Sequence, residues 1–168
     1  MLLIVRIILI ILIFASVSHA FVQSSLPKET SSSESNKVGE IVGEIIPPET
    51  PPGAYVQKNL RKLAHFTEFA NIGVFCALYA VIFHFKSKWA HIAIIPVGMG
   101  IALLDETIQI FSERGPSVTD IWIDVLGYLT ATVAVYAVFV VIYFIKWRVS
   151  VRKSSAPDSS EVPYGQDN

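Results

Sequence analysis

Four blocks of apolar residues, each long enough to cross a bilayer as a helix, constrain this chain more than any other feature. They run from Leu2 to Val22 (broken only by Arg6), Leu63 to Phe85, Trp89 to Phe111 and Ile121 to Trp147. A hydrocarbon core is spanned by about 20 mostly apolar residues in helix, and a helix satisfies its own backbone hydrogen bonds there. The chain is 52% hydrophobic and only 16% charged over 168 residues, against about a quarter charged in soluble domains. The expected fold is an all-α membrane protein, with four transmembrane helices in a small antiparallel bundle. Thirteen basic and 14 acidic residues give a net charge of -1. With no basic face there is no footprint for nucleic acid. Cys76 is the single cysteine, which excludes an internal disulfide framework and a cysteine zinc cluster.

The first block has two readings. Arg6, the run Ile7 to Phe14 and Ser18-His19-Ala20 fit a signal peptide. The length of the run favours a retained span. Basic residues in short loops set the orientation. Lys86 and Lys88 between spans two and three, and Lys146, Arg148, Arg152 and Lys153 after span four, place those segments in the cytoplasm. Both termini are then cytoplasmic if span one is retained, with Trp89 and Trp147 at the inner interface. The expected organisation is a first span or signal anchor (1–22), an extracytoplasmic Pro/Ser-rich spacer (23–59), a three-helix membrane domain (60–147) and a cytoplasmic tail (148–168). The spacer contains Ser31-Ser32-Ser33, Pro47-Pro48 and Pro51-Pro52-Gly53, and its low hydrophobicity predicts disordered or extended chain. Within it, Val38 to Ile46 repeats valine and isoleucine around Gly-Glu, a pattern that also suits a short helix.

Ionisable residues inside the spans carry the functional information, because each costs about 2.5–3.5 kcal/mol in hydrocarbon. Arg61, His65 and Glu68 stand at i, i+4, i+7 and form one stripe. Asp105 and Gln109 are four apart, Glu106 and Gln109 three apart, and Asp120, Asp124 and Gly127 repeat the i, i+4, i+7 spacing. The topology gathers these stripes at the outer side of the membrane. Bases at the N-terminus of span two (Arg61, Lys62, His65) and acids at the C-terminus of span three (Asp105, Glu106) both oppose the helix dipole. Mutual pairing or an anionic lipid headgroup would compensate them. Ser117 is placed to cap span four, with Asp120 at capping-box spacing. Arg114 in the outer loop reads either as part of the pocket or as an interfacial residue. A purely structural salt-bridge lock is the competing account of the acids.

Catalytic templates fit poorly. There is no HExxH, no glycine-rich phosphate loop and no nucleophile motif. His65-x-x-Glu68 offers two ligands that carboxylates of spans three and four could extend into an oxygen-rich site. No metal, cofactor or catalytic residue is assigned from sequence.

At these residues the chain resembles the VanZ-like family, named for a bacterial teicoplanin-resistance protein. The likeness rests on Arg61-Lys62-x-x-His65-Phe66-x-Glu68-Phe69, then Asp105-Glu106-x-x-Gln109-x-Phe111, then Arg114, Asp120, Asp124 and Gly127, and extends from Arg61 to near Trp147. Many members carry asparagine at the place of Asp124. The resemblance implies a multi-pass protein of the bacterial cell membrane that affects the envelope. Three functions follow as alternatives. The first is an outer polar pocket that binds an anionic or amphiphilic ligand, such as a lipid headgroup, a lipid-linked molecule or a lipoglycopeptide. There Arg61, Lys62 and Arg114 would take the anion. The second is a membrane-embedded enzyme acting on a lipid or cell-wall precursor through His65 and carboxylates. The third is a small transporter, disfavoured because the charges avoid the midplane where transport sites lie. The candidate pocket residues are Arg61, Lys62, His65, Glu68, Asp105, Glu106, Gln109, Arg114, Asp120 and Asp124.

Overall fold

A computed structural model describes residues 1–84, 86–112 and 117–154. They form five helices: α1 (Leu2–Ser25), α2 (Lys28–Ile45), α3 (Pro51–Phe83), α4 (Lys88–Phe111) and α5 (Val118–Ser154), with no strand among the described residues. Four of them, α1, α3, α4 and α5, are long and apolar enough to cross a membrane. The helix starts follow from local chemistry. Thr50 accepts the Gly53 N–H at 3.2 Å, with prolines in the first turn of α3, where a missing N–H costs nothing. Ser87 accepts the Ala90 N–H at 3.3 Å to start α4. Ser117 Oγ accepts the Asp120 N–H at 3.4 Å ahead of α5, as its capping position predicts.

Contacts between helices establish an up-down order. Arg6 donates to the Tyr79 hydroxyl at 3.1 Å, while His19 lies 3.8 Å from Glu68. Helix α1 therefore runs antiparallel to α3. Arg61 reaches Gln109, which sets α3 against α4, and His91 meets Tyr136 at 2.5 Å, which sets α4 against α5. The shared core holds Ala20, Phe69, Ile72, Ala80, Ile94, Ala102, Val125 and Tyr128.

Helices α3 and α5 touch backbone to backbone. A side chain at Gly73 would overlap the Tyr128 carbonyl, and one at Gly127 would overlap the Phe66 carbonyl. Small residues are the usual device for close helix approach where lipid supplies no hydrophobic drive. Tyr128 then lies in a seat left by Gly98 of α4.

From Ala137 onward the chain forms a second compact unit. Within it the Phe144 and Trp147 rings are 5.9 Å apart and Arg148 lies 5.1 Å over Phe144.

The segment expected to be disordered is instead helical. Residues 28–45 form α2, which Pro47 and Pro48 follow, and α3 begins at Pro51, twelve residues before the apolar block at Leu63. The reason lies in partners that hydropathy does not register. Gly39 and Gly43 let α2 approach Gln57 of α3, whose amide donates to the Gly39 carbonyl at 2.6 Å. At 33 residues, α3 is about 50 Å long, so its polar first turns extend past a hydrocarbon core of about 30 Å.

Candidate functional site

The tight crossing of α3 and α5 fixes what lies beside it on each helix. His65 precedes Phe66, Asp124 precedes Gly127 by three residues, and His65 Nδ1 stands 3.3 Å from Asp124 Oδ1. Both side chains are buried, Asp124 completely. Apart from this pairing, neither Asp124 oxygen meets a hydrogen-bond partner among the described residues.

Asp105 enters the same space from α4 and is also fully buried. The Ser24 hydroxyl lies 2.8 and 2.7 Å from its two oxygens, and the Gln109 amide donates to Oδ2 at 3.0 Å. Arg61 in turn donates to Gln109 Oε1 at 3.0 Å. That bond fixes the amide, with its carbonyl toward Arg61 and its N–H₂ toward Asp105. Ser112 ties the end of α4 to the end of α1 by donating to the Ser24 carbonyl at 2.8 Å. The result is a chain, Arg61 to Gln109 to Asp105, with Ser24 completing it. The expected meeting of the basic end of span two with the acidic end of span three takes place through this neutral amide.

One ligand atom from each of His65, Asp105 and Asp124 lies within 4.8 Å of the others, with all three residues buried. This trio could hold a cation.

Glu106 is one position further round α4 and turns elsewhere. Its Oε1 accepts the backbone N–H of Ser117. In a capping box that N–H is taken by the helix's own third residue. Here a carboxylate of another helix takes it, which leaves Asp120 half-buried at the start of α5.

Glu68 is half-buried and faces His19, itself largely exposed, at 3.8 Å. Lys62 is exposed. Arg114 lies outside the described residues.

A cavity of about 440 Å³ adjoins this polar end. Ser31, Ser35, Val38 and Val42 line it from α2 at helical spacing; Val56, Leu60, Arg61, Leu63, His65 and Glu68 line it from α3. Gly39 of α2 lies against Gln57 of α3, and the helices run antiparallel across the intervening turn. The serines therefore fall opposite Arg61 and His65, and the valines opposite Val56. The groove is apolar at one end and polar at the other. Arg61 lines this cavity, and its Nε is buried without a hydrogen-bond partner among the described residues.

Sequence reasoning brought together Arg61, His65, Asp105, Gln109 and Asp124; it missed Ser24 and His19 and, within α2, read only Val38 to Ile46 as suited to a helix. Ser24 gave no signal beyond standing after an apolar run. The α2 stripe was present as the 4, 3, 4 spacing of 31, 35, 38 and 42.

A family model described as VanZ/LLP1 matches residues 2–154. No curated protein and no solved structure matches the chain.

Proposed function

The chain belongs to the VanZ/LLP1 family, and from that premise we propose that it is a cell-envelope membrane protein whose polar pocket binds an anionic amphiphile. The observation that carries this reading is the groove between α2 and α3. Its apolar walls (Val38, Val42, Val56, Leu60) suit an acyl or aryl part, and the guanidinium of Arg61, with a buried and unsatisfied Nε–H, suits an anionic group. A buried donor without a partner costs about 1–3 kcal/mol, which an anion would recover. Glu68 and the α2 serines add polar contacts that orient the head.

The excess of lysine and arginine after the α3 and α5 spans favours the cytoplasm for those ends. The groove then opens on the outer side of the cell membrane, where lipid headgroups and lipoglycopeptides are found. Teicoplanin, an anionic lipoglycopeptide, is the ligand class that the family relationship favours.

The test is teicoplanin susceptibility in cells expressing the chain, with membrane abundance measured in parallel. Val42→Trp fills the apolar end of the groove without touching the polar chain. Lowered susceptibility with the wild type, and its loss in Val42→Trp at equal abundance, is the expected result. Identical susceptibility of wild type, variant and empty vector sinks the reading.

A further inference from the structure

We propose that His65, Asp105 and Asp124 form a binding site for one divalent transition-metal ion at the junction of α3, α4 and α5. This inference stands apart from the amphiphile reading, because it uses different atoms and requires no ligand in the groove.

Three observations converge on it. The first is composition: one imidazole nitrogen and two carboxylates from three helices, with ligand atoms within 4.8 Å of one another. Four-coordinate zinc bonds of about 2.1 Å put neighbouring donors about 3.4 Å apart, so the side chains need only a small inward adjustment. The second is the state of Asp124. It is completely buried, and beyond the His65 imidazole at 3.3 Å its oxygens meet no hydrogen-bond partner among the described residues. A carboxylate buried beside the glycine-tight crossing of α3 and α5, with only the His65 imidazole at 3.3 Å beside it, is placed to act as a ligand. The third is the shell behind Asp105. The Ser24 hydroxyl and the Gln109 amide orient that carboxylate, and Arg61 fixes the amide. Ligating carboxylates are commonly held in this way by hydrogen bonds from a second layer of residues.

Charge supports the same conclusion. A divalent cation would supply counter-charge to two carboxylates that are fully buried in a water-poor interior. The donor set, mixed nitrogen and oxygen without thiolate, suits manganese, iron or zinc. His65 also lines the groove, so the ion would sit behind its polar end, with open coordination positions left by only three protein ligands.

The experiment uses the full chain purified in detergent, stripped with a chelator and titrated separately with Mn²⁺ and Zn²⁺. Bound metal is counted by elemental analysis after desalting. One ion per chain is expected for at least one of the two metals. Asp124→Asn should weaken its binding by about 100-fold or more, whereas Ser24→Ala, acting only through Asp105, should weaken it by about 10-fold. Where Asp124→Asn fails to fold, His65→Gln replaces it with the same expected loss. Neither metal reaching one ion per chain overturns the proposal, as does wild-type affinity in a folded Asp124→Asn or His65→Gln protein.

Discussion

The two ends of the bundle interior are built from the same helices by opposite means. At one end Ser24, His65, Asp105, Gln109 and Asp124 meet, and polar contacts link the chains. At the other, Ile72, Gly73, Ala77, Ala80, Ile94, Gly98 and Tyr128 meet chiefly by close packing, with the Arg6–Tyr79 and His91–Tyr136 contacts at its margin. The glycine contacts lie on the boundary between them. Their separation of α3 from α5 is dictated by backbone overlap and tolerates almost no change. The polar end inherits that spacing: His65 and Asp124 are close because Phe66 and Gly127 are closer still. Packing is thus the cause of the site's geometry, and polar pairing is its consequence.

The largest effect should come from breaking the apolar side of this relationship. Leucine at Gly73 or Gly127 would drive four heavy atoms into the facing backbone, and the strain of overpacking runs to about 3 kcal/mol or more. Gly73→Leu and Gly127→Leu should leave little folded protein, read as loss of membrane abundance and of a cooperative unfolding transition in detergent. Gly100 is the control. Nothing lies within 4 Å of a side chain placed there, so Gly100→Ala should keep wild-type abundance. Normal folding of both leucine variants would show that the polar end holds itself together.

The polar side should be costly to break but less so. Asp105→Leu removes the acceptor of both the Ser24 hydroxyl and the Gln109 amide, and each buried orphan costs about 1–3 kcal/mol. A loss of about 3 kcal/mol in detergent unfolding is expected, with Ser24→Ala nearer 1 kcal/mol. Equal stability of Asp105→Leu and wild type would mean that the chain from Arg61 to Asp105 contributes nothing to the fold.

The two ends also differed in how readable they were from sequence. The four spans were legible because twenty apolar residues in a row have few other uses. Asp105 and Gln109 were legible as a pair, since four residues on a helix share a face. What distinguishes Asp105 from Glu106 was not legible, because adjacent residues point about 100° apart and only the neighbours decide which enters the core. The start of α5 claimed Glu106, and α1 and α3 claimed Asp105. Charge counting looked for an acid to meet Arg61; Gln109 stood among the pocket candidates, but its role as the neutral group that accepts from Arg61 and donates to Asp105 was not read. Before Val38, helix α2 was lost among serines and glutamates, whose composition resembles an unfolded segment. Its Gly39 and Gly43 mean nothing until Gln57 stands opposite them.

Glu68 separates a functional pocket from a structural lock, and it should give the smallest effect on stability. It lines the groove, and its ion-pair partner at 3.8 Å, His19, is largely exposed. Exposed pairs of this kind contribute about 0–1 kcal/mol, and glutamine preserves the shape. Glu68→Gln should therefore unfold within about 0.5 kcal/mol of wild type, while changing susceptibility to the proposed amphiphile. The two readouts pull apart only if this charge acts on something outside the protein. A lock predicts the reverse: reduced abundance, with any change in susceptibility explained by that reduction. Destabilisation of Glu68→Gln comparable to Asp105→Leu would place Glu68 with the buried chain rather than with the groove, and the pocket would lose its acidic group.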